Sequence, residues 1–256
     1  MPTATNDGVS LHYEVAGEGE TIVFVTDVGF GAWSWGWQHA ALTGEFETVV
    51  WDLRGTGRSD APEGPYDVAT LAQDLETVLS AAGVASAHLV GAGLGGMVAL
   101  AYADRVSRAR SLTLIGTASS GEAVTDRLEA LRASPDDEVA LRSSLDAAIV
   151  ADPAAHPAVV DDIVSWRAAD DAALGGWDAQ AAAMRSFRSP PLYEITLPTL
   201  VLHGTADVIV PVEAGESLAE GLPRGEFRAI EAGHACYVED SGAVTDAIAD
   251  FVADGE

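Results

Sequence analysis

With 256 residues, 48% of them apolar, the chain is long enough to bury a sizeable core, so one domain with at most an insertion is expected rather than disorder. Forty Asp and Glu stand against 13 Arg with no Lys, a net charge of −27, which disfavours nucleic acid and anionic membrane as partners. The acids are spread along the chain without a block of like charges, as in a protein that works in high salt, and the single cysteine, Cys236, excludes an internal disulfide and a Cys-based zinc site.

The start, MPTATNDGVSLHYEVAG, has neither the basic nor the apolar stretch of a signal peptide, and no apolar run is long enough to span a bilayer, so a cytoplasmic location is expected. Val9–Glu14 alternates in residue type and predicts an edge strand. Thr21–Val25 is continuously apolar, as a strand covered on both faces should be. Shorter runs follow at Thr48–Trp51, His88–Val90, Leu112–Ile115 and, much later, Leu200–Leu202. Between them Asp67 can cap a helix carrying Leu71, Leu75 and Leu79, stopped by Gly83. Another helix is expected after Gly93, with Leu94, Val98 and Ala101 toward the sheet. Strand and helix in alternation imply a parallel sheet with helices on both faces.

The rhythm breaks after Ile115. From about residue 121 to 187 the chain is Ala-rich and acidic, with Leu128, Leu131, Leu141, Leu145, Ile149, Val160 and Ile163 at helical spacings, punctuated by Pro135, Pro153 and Pro157. Residues 119–191 are therefore read as a helical lid inserted into a core made of residues 1–118 and 192–256.

Four local patterns occur in order. Trp51-Asp52-Leu53-Arg54-Gly55-Thr56-Gly57-Arg58-Ser59 forms a tight loop after a strand. Leu89-Val90-Gly91-Ala92-Gly93-Leu94-Gly95-Gly96 reads as strand, glycine turn and helix start. Gly204-Thr205-Ala206-Asp207 puts an acid after a late strand, and Ala232-Gly233-His234 lies near the C-terminus. Together they resemble the α/β-hydrolase fold superfamily, near its esterase, haloperoxidase and lactonase-like members. The resemblance implies an α/β fold: a mostly parallel eight-stranded sheet with helices on both faces and an inserted helical lid. Elbow, acid and histidine follow one another in that fold's order.

By that resemblance Gly91 and Gly95 flank the nucleophile position of a G-x-S-x-G elbow, and Gly93 leaves it without a hydroxyl, so no acyl-enzyme forms there. His234 and Asp207 become the imidazole and its orienting acid, and the backbone N–H groups of Val28 and Leu94 the oxyanion hole. Val25-Thr26-Asp27-Val28-Gly29 departs from the family's His-Gly. An Asp27 carboxylate pointing into the hole would oppose an oxyanion; pointing away, it would matter little. Trp33 and Asp27 are the candidate substrate contacts, with Trp166 and Trp177 over the same pocket. Asp52, Arg54 and His203 read as structural and Cys236 as a small core residue.

The reading is a protein acting on a small, mainly apolar molecule, ester-, lactone- or carbonyl-like, through a His–Asp pair without serine, with no metal or organic cofactor. Two alternatives stay open. One is a non-catalytic small-molecule binder or regulator. The other is a dinucleotide-binding protein, because Gly91-x-Gly93-x-x-Gly96 opens a helix after a strand.

Overall fold

The computed structural model describes residues 2–105, 108–149 and 155–254; Pro153 lies outside them. The chain starts with a hairpin, β1 (Thr3–Asn6) and β2 (Val9–Ala16), turned by Asp7 and Gly8 at φ of 49° and 83°. Positive φ at both turn residues matches the twist of antiparallel strands, and Asp-Gly suits it. This corrects one expectation: β1 is the edge strand and shields β2. Four short, partly exposed residues carry little periodicity, so only the Asn-Asp-Gly turn announced them.

Six further strands follow: β3 (Thr21–Val25), β4 (Glu47–Trp51), β5 (Ala87–Ala92), β6 (Ala109–Ile115), β7 (Thr199–Gly204) and β8 (Gly225–Ile230). They form one eight-stranded sheet in the order β1-β2-β4-β3-β5-β6-β7-β8. It is antiparallel at β1–β2 and β2–β4 and parallel elsewhere. Every residue of β3, β5 and β7 is buried, the mark of strands covered on both faces.

The connecting helices are α1 (Gly36–Leu42), α2 (Val68–Ala82) and α3 (Leu94–Arg105). The Asp67 side chain accepts the Thr70 N–H at 2.7 Å, and Gly83 closes α2 in the left-handed region, as expected. After β6 come two 3-10 turns (Gly121–Ala123 and Asp126–Leu131), then α4 (Glu138–Ala148), α5 (Pro157–Asp170) and α6 (Leu174–Ser186). Leu128 and Leu131 thus sit on a 3-10 turn, and Ile149 just ends α4. The two ends of this excursion lie side by side: Ser120 bridges Arg188, and the Gly121 N–H donates to the Phe187 carbonyl at 3.0 Å. The chain finishes with α7 (Val212–Gly221), α8 (Cys236–Glu239) and α9 (Ser241–Asp254).

Helices α1 and α9 pack together, as do α2 and α3. The step from β3 to β4 crosses the sheet in the opposite direction from the later steps, so right-handed crossovers put these pairs on opposite faces. A main core surrounds the sheet, while Leu141, Leu145, Val160, Ile163 and Val164 make a second small core between α4 and α5. No helix among the described residues is long and apolar enough to cross a membrane.

Candidate active site

The carboxyl ends of β3, β5, β6, β7 and β8 bring the candidate residues together. Gly93 forms the bend between β5 and α3 at φ +48°, its N–H donating to the Ile115 carbonyl at 2.9 Å and its carbonyl accepting from Thr117 Oγ1 at 2.6 Å. The bend rests directly on the next strand: a Cβ on Gly95 would lie 2.2 Å from the Val25 carbonyl oxygen, so glycine is required there for close approach.

Asp27, two residues past β3, points into the site, not away from it. Its Oδ1 accepts from the backbone N–H of Val28 at 2.7 Å and of Leu94 at 2.8 Å. Its Oδ2 accepts from His234 Nε2 at 2.8 Å. The two N–H groups read from the sequence as an oxyanion hole both donate to this one oxygen, so the Asp27 carboxylate is what they hold. A Cβ built on Gly93 would lie 1.9 Å from Asp27 Oδ1 and 2.2 Å from its Cγ. The carboxylate thus fills the space that any side chain at position 93 would need.

His234 lies in the loop between β8 and α8. Its Nδ1 donates to Asp207 Oδ2 at 2.7 Å, so the ring is bonded to a carboxylate on either side. Asp207 follows β7, and its Oδ1 accepts from the N–H groups of Ile209 at 2.8 Å and Val210 at 2.9 Å. All three side chains are buried, Asp27 and His234 at 1% and 2% exposure. Burial alone would deprotonate His234, but the Asp207 charge and the hydrogen bonds to Asp207 and Asp27 outweigh it and push its pKa up to about 10. Burial works against ionised Asp207, yet the His234 charge, the His203 and His234 hydrogen bonds and the Val210 N–H hold it well below the ordinary carboxylate range. A His234 pKa this high favours a protonated ring at neutral pH, lying between the Asp207 and Asp27 side chains.

His203 donates from Nε2 to the Val210 carbonyl at 2.8 Å and lies 3.3 Å from Asp207, supporting the acid from behind. Cys236 is fully buried, and burial pushes its thiol up to about 12. Asp52 takes the N–H groups of Ala32 and Arg58, and Arg54 pairs bidentately with buried Asp74 at 2.6 Å, so both fix loops.

Trp33 falls outside this cluster. Its Nε1 donates to Asp171 at 2.7 Å, and its ring joins Trp37 and Trp166 around an apolar groove between α1 and α5. That corrects the placing of Trp33 and Trp166 on one pocket with the site. Trp177 lies against the oxyanion loop instead: a Cβ on Gly29 would meet its ring at 2.3 Å. Two residues escaped the sequence reading. Buried Gln180 on α6 accepts from the Gly29 N–H at 2.7 Å and donates to Thr56 Oγ1 at 2.7 Å and the Arg54 carbonyl at 2.9 Å. Asp171 takes the Gly31 N–H, Trp33 and Arg167. The visible signals were one long polar residue inside an alanine run and an Arg–Asp pair one helical turn apart. Among the described residues no group of His, Cys, Asp and Glu is arranged to hold a metal ion.

Residues 23–141 match the model of the alpha/beta hydrolase fold family, and residues 175–256 match that of TAP-like proteins. The chain is 33% identical over 255 residues to the "Putative carbamate hydrolase RutD" of Variovorax paradoxus, covering 95% of this chain and 96% of that one. The "3-oxoadipate enol-lactonase 2" of Acinetobacter baylyi is 24% identical over 96% of this chain and 94% of its own. Among solved structures, the enol-lactonase of Burkholderia xenovorans superposes with a TM-score of 0.88 at 28% identity, over 98% of this chain and 100% of that one. The thermophilic esterase of Thermogutta terrifontis gives 0.84 at 27%, over 99% and 97%. The chain belongs to the α/β-hydrolase fold family.

Proposed function

We propose that this protein is a hydrolase-family enzyme that acts on a small, mainly apolar molecule without a serine nucleophile, its chemistry carried by His234 and Asp207 at the bend formed by Gly93. One observation supports this above all. The imidazole remains bonded to its orienting acid, and Asp27 supplies a second carboxylate in the space left by the glycine. Ester-, lactone- and carbonyl-like molecules are the first class to try, since relatives carry carbamate hydrolase, enol-lactonase and esterase names. Residues 119–191 serve as the lid in this reading; Trp177 and Gln180 on α6 close over the oxyanion loop.

The test is a hydrolysis screen in molar KCl on short esters, lactones, carbamates and alkyl halides, comparing the parent with His234→Ala and Asp207→Asn. Loss of a general acid or base costs about 10²–10⁴-fold, so His234→Ala is expected to fall at least 100-fold. Equal activity of parent and His234→Ala would overturn the reading.

A second reading is a non-catalytic member of the fold. It is favoured by the same carboxylate, which occupies both oxyanion donors while being almost fully buried. A chain inactive throughout the screen would select it. Dinucleotide binding fits poorly, because the N-terminus of α3, where a pyrophosphate would dock, already holds Asp27.

A further inference from the structure

The oxyanion hole of this site does not point at an empty place. Both N–H groups are spent on Asp27 Oδ1, at 2.7 and 2.8 Å. A separate carbonyl substrate would find both donors taken by Asp27 Oδ1, and its developing oxyanion would be repelled by the carboxylate beside it. The one tetrahedral intermediate these donors can stabilise is one built on the Cγ of Asp27 itself.

We infer that Asp27 is the nucleophile of this protein, and that its electrophile is a saturated carbon bearing an anionic leaving group, such as a small alkyl halide or alkyl sulfate. The inference rests on serine-free catalysis at this site and changes the kind of bond that is cleaved. Carboxylates are established covalent nucleophiles in other enzymes. Here the geometry serves both halves of such a reaction. In the first, Oδ1 stays pinned by two N–H groups while Oδ2, whose hydrogen-bond partner among the described residues is His234 Nε2, attacks the carbon. The carbon–leaving group bond breaks, the leaving group departs with the electron pair, and an alkyl ester of Asp27 remains. Near-complete burial strips water from this carboxylate and sharpens it as a nucleophile.

The ester carries no charge, so His234 loses one of the two carboxylates that hold its proton and releases that proton to solvent. In the second half His234 Nε2 takes a proton from water as the water oxygen bonds to Cγ, and the negative oxygen lies on Val28 and Leu94 N–H. Collapse breaks the bond between Cγ and the alkyl oxygen, and the alkoxide leaves as alcohol with the His234 proton. The regenerated carboxyl returns its own proton to His234. The net change is alkyl halide plus water giving alcohol, halide and one proton. Gly93 is integral to this scheme, since any Cβ there would displace the carboxylate.

The test uses hexyl bromide and the full-length chain in molar KCl. His234→Gln should stop after the first half and accumulate one hexyl group per chain, located on Asp27 by peptide mass spectrometry; Asp27→Asn should take up none. Because His234→Gln could fold poorly, the parent is also turned over in oxygen-18 water. The label is expected in the Asp27 carboxylate after one turnover, with unlabelled oxygen in the first hexanol formed. An Asp27 that remains unalkylated in a folded His234→Gln chain, or label appearing directly in hexanol with none in Asp27, overturns the inference. Ester hydrolysis that depends on His234, with Asp27 never alkylated, would sink this inference alone and leave the serine-free reading standing. Inactivity of the parent on every substrate, hexyl bromide included, would sink both.

Discussion

At the scale of single residues, the site is defined by an exchange of volume between positions 27 and 93. Glycine at 93 and aspartate at 27 each look like a loss when read alone: one removes a hydroxyl, the other threatens an oxyanion. Their coordinates make them one feature, because the carboxylate stands 1.9 Å from where a Cβ on residue 93 would be. Sequence spacing located both positions, but the direction of one side chain decides their chemistry, and no local pattern encodes it. The pairing also sets a pH response. A folded-state pKa raised from 6.5 to about 10 means that the His234 ion network contributes stability fully below pH 6.5 and loses it as pH climbs through 10. The groups bonded to the ring are Asp207 and Asp27, with His203 on the Asp207 carboxylate and Cys236 and Tyr237 close by in sequence. The chain has no lysine, and its one thiol is held near 12, so that window is sparsely titrated otherwise. The melting temperature is expected to fall across pH 7–10, and in Asp27→Asn, with one raising carboxylate gone, to fall by less and to level off at a lower pH. A profile flat to pH 10 in the parent would contradict the charged triad.

At the scale of elements, strands β3 to β7 and helix α2 were legible because burial and capping leave strong signatures. Strand β1 was not, since four partly exposed residues have no periodicity to read. The helical excursion was visible as a break in rhythm, but not how it is fastened. Gln180 and Asp171 act across more than a hundred residues of sequence, where no spacing rule reaches. Each satisfies backbone N–H groups of the loop after β3 that would otherwise be buried without a partner. Gln180→Ala would strand the Gly29 N–H and two further partners and is expected to cost about 1–3 kcal/mol. Urea unfolding should show that loss, and protease cleavage within residues 119–191 should quicken. Unchanged urea midpoint and cleavage rate would remove Gln180 as a fastening point.

At the scale of the whole molecule, 27 excess negative charges repel one another across a surface with few cations. We expect the medium to screen much of this charge, since the chain carries only 13 arginines and no lysine against 40 acids. Raising salt from 0.1 to 1 M shortens the screening length from about 10 to about 3 Å. The melting temperature is expected to rise with KCl over this range, each 1 kcal/mol of relieved repulsion giving about 2–4 °C for a chain of this size. Insensitivity to KCl would show that the acids are already paired or too far apart to matter. Four ordered motifs made the fold readable without any structure. The contents of the oxyanion hole needed the assembled molecule.

The most direct measurement of the central claim, that Asp27 occupies the nucleophile's place, is labelling by a fluorophosphonate serine probe in three chains: the parent, Gly93→Ser, and the double exchange Asp27→Gly with Gly93→Ser. The single exchange forces a side chain against the carboxylate, so only the double exchange is expected to label and to hydrolyse short activated esters. Equal labelling of the single and double exchanges would mean that position 93 was free all along, and would contradict the account.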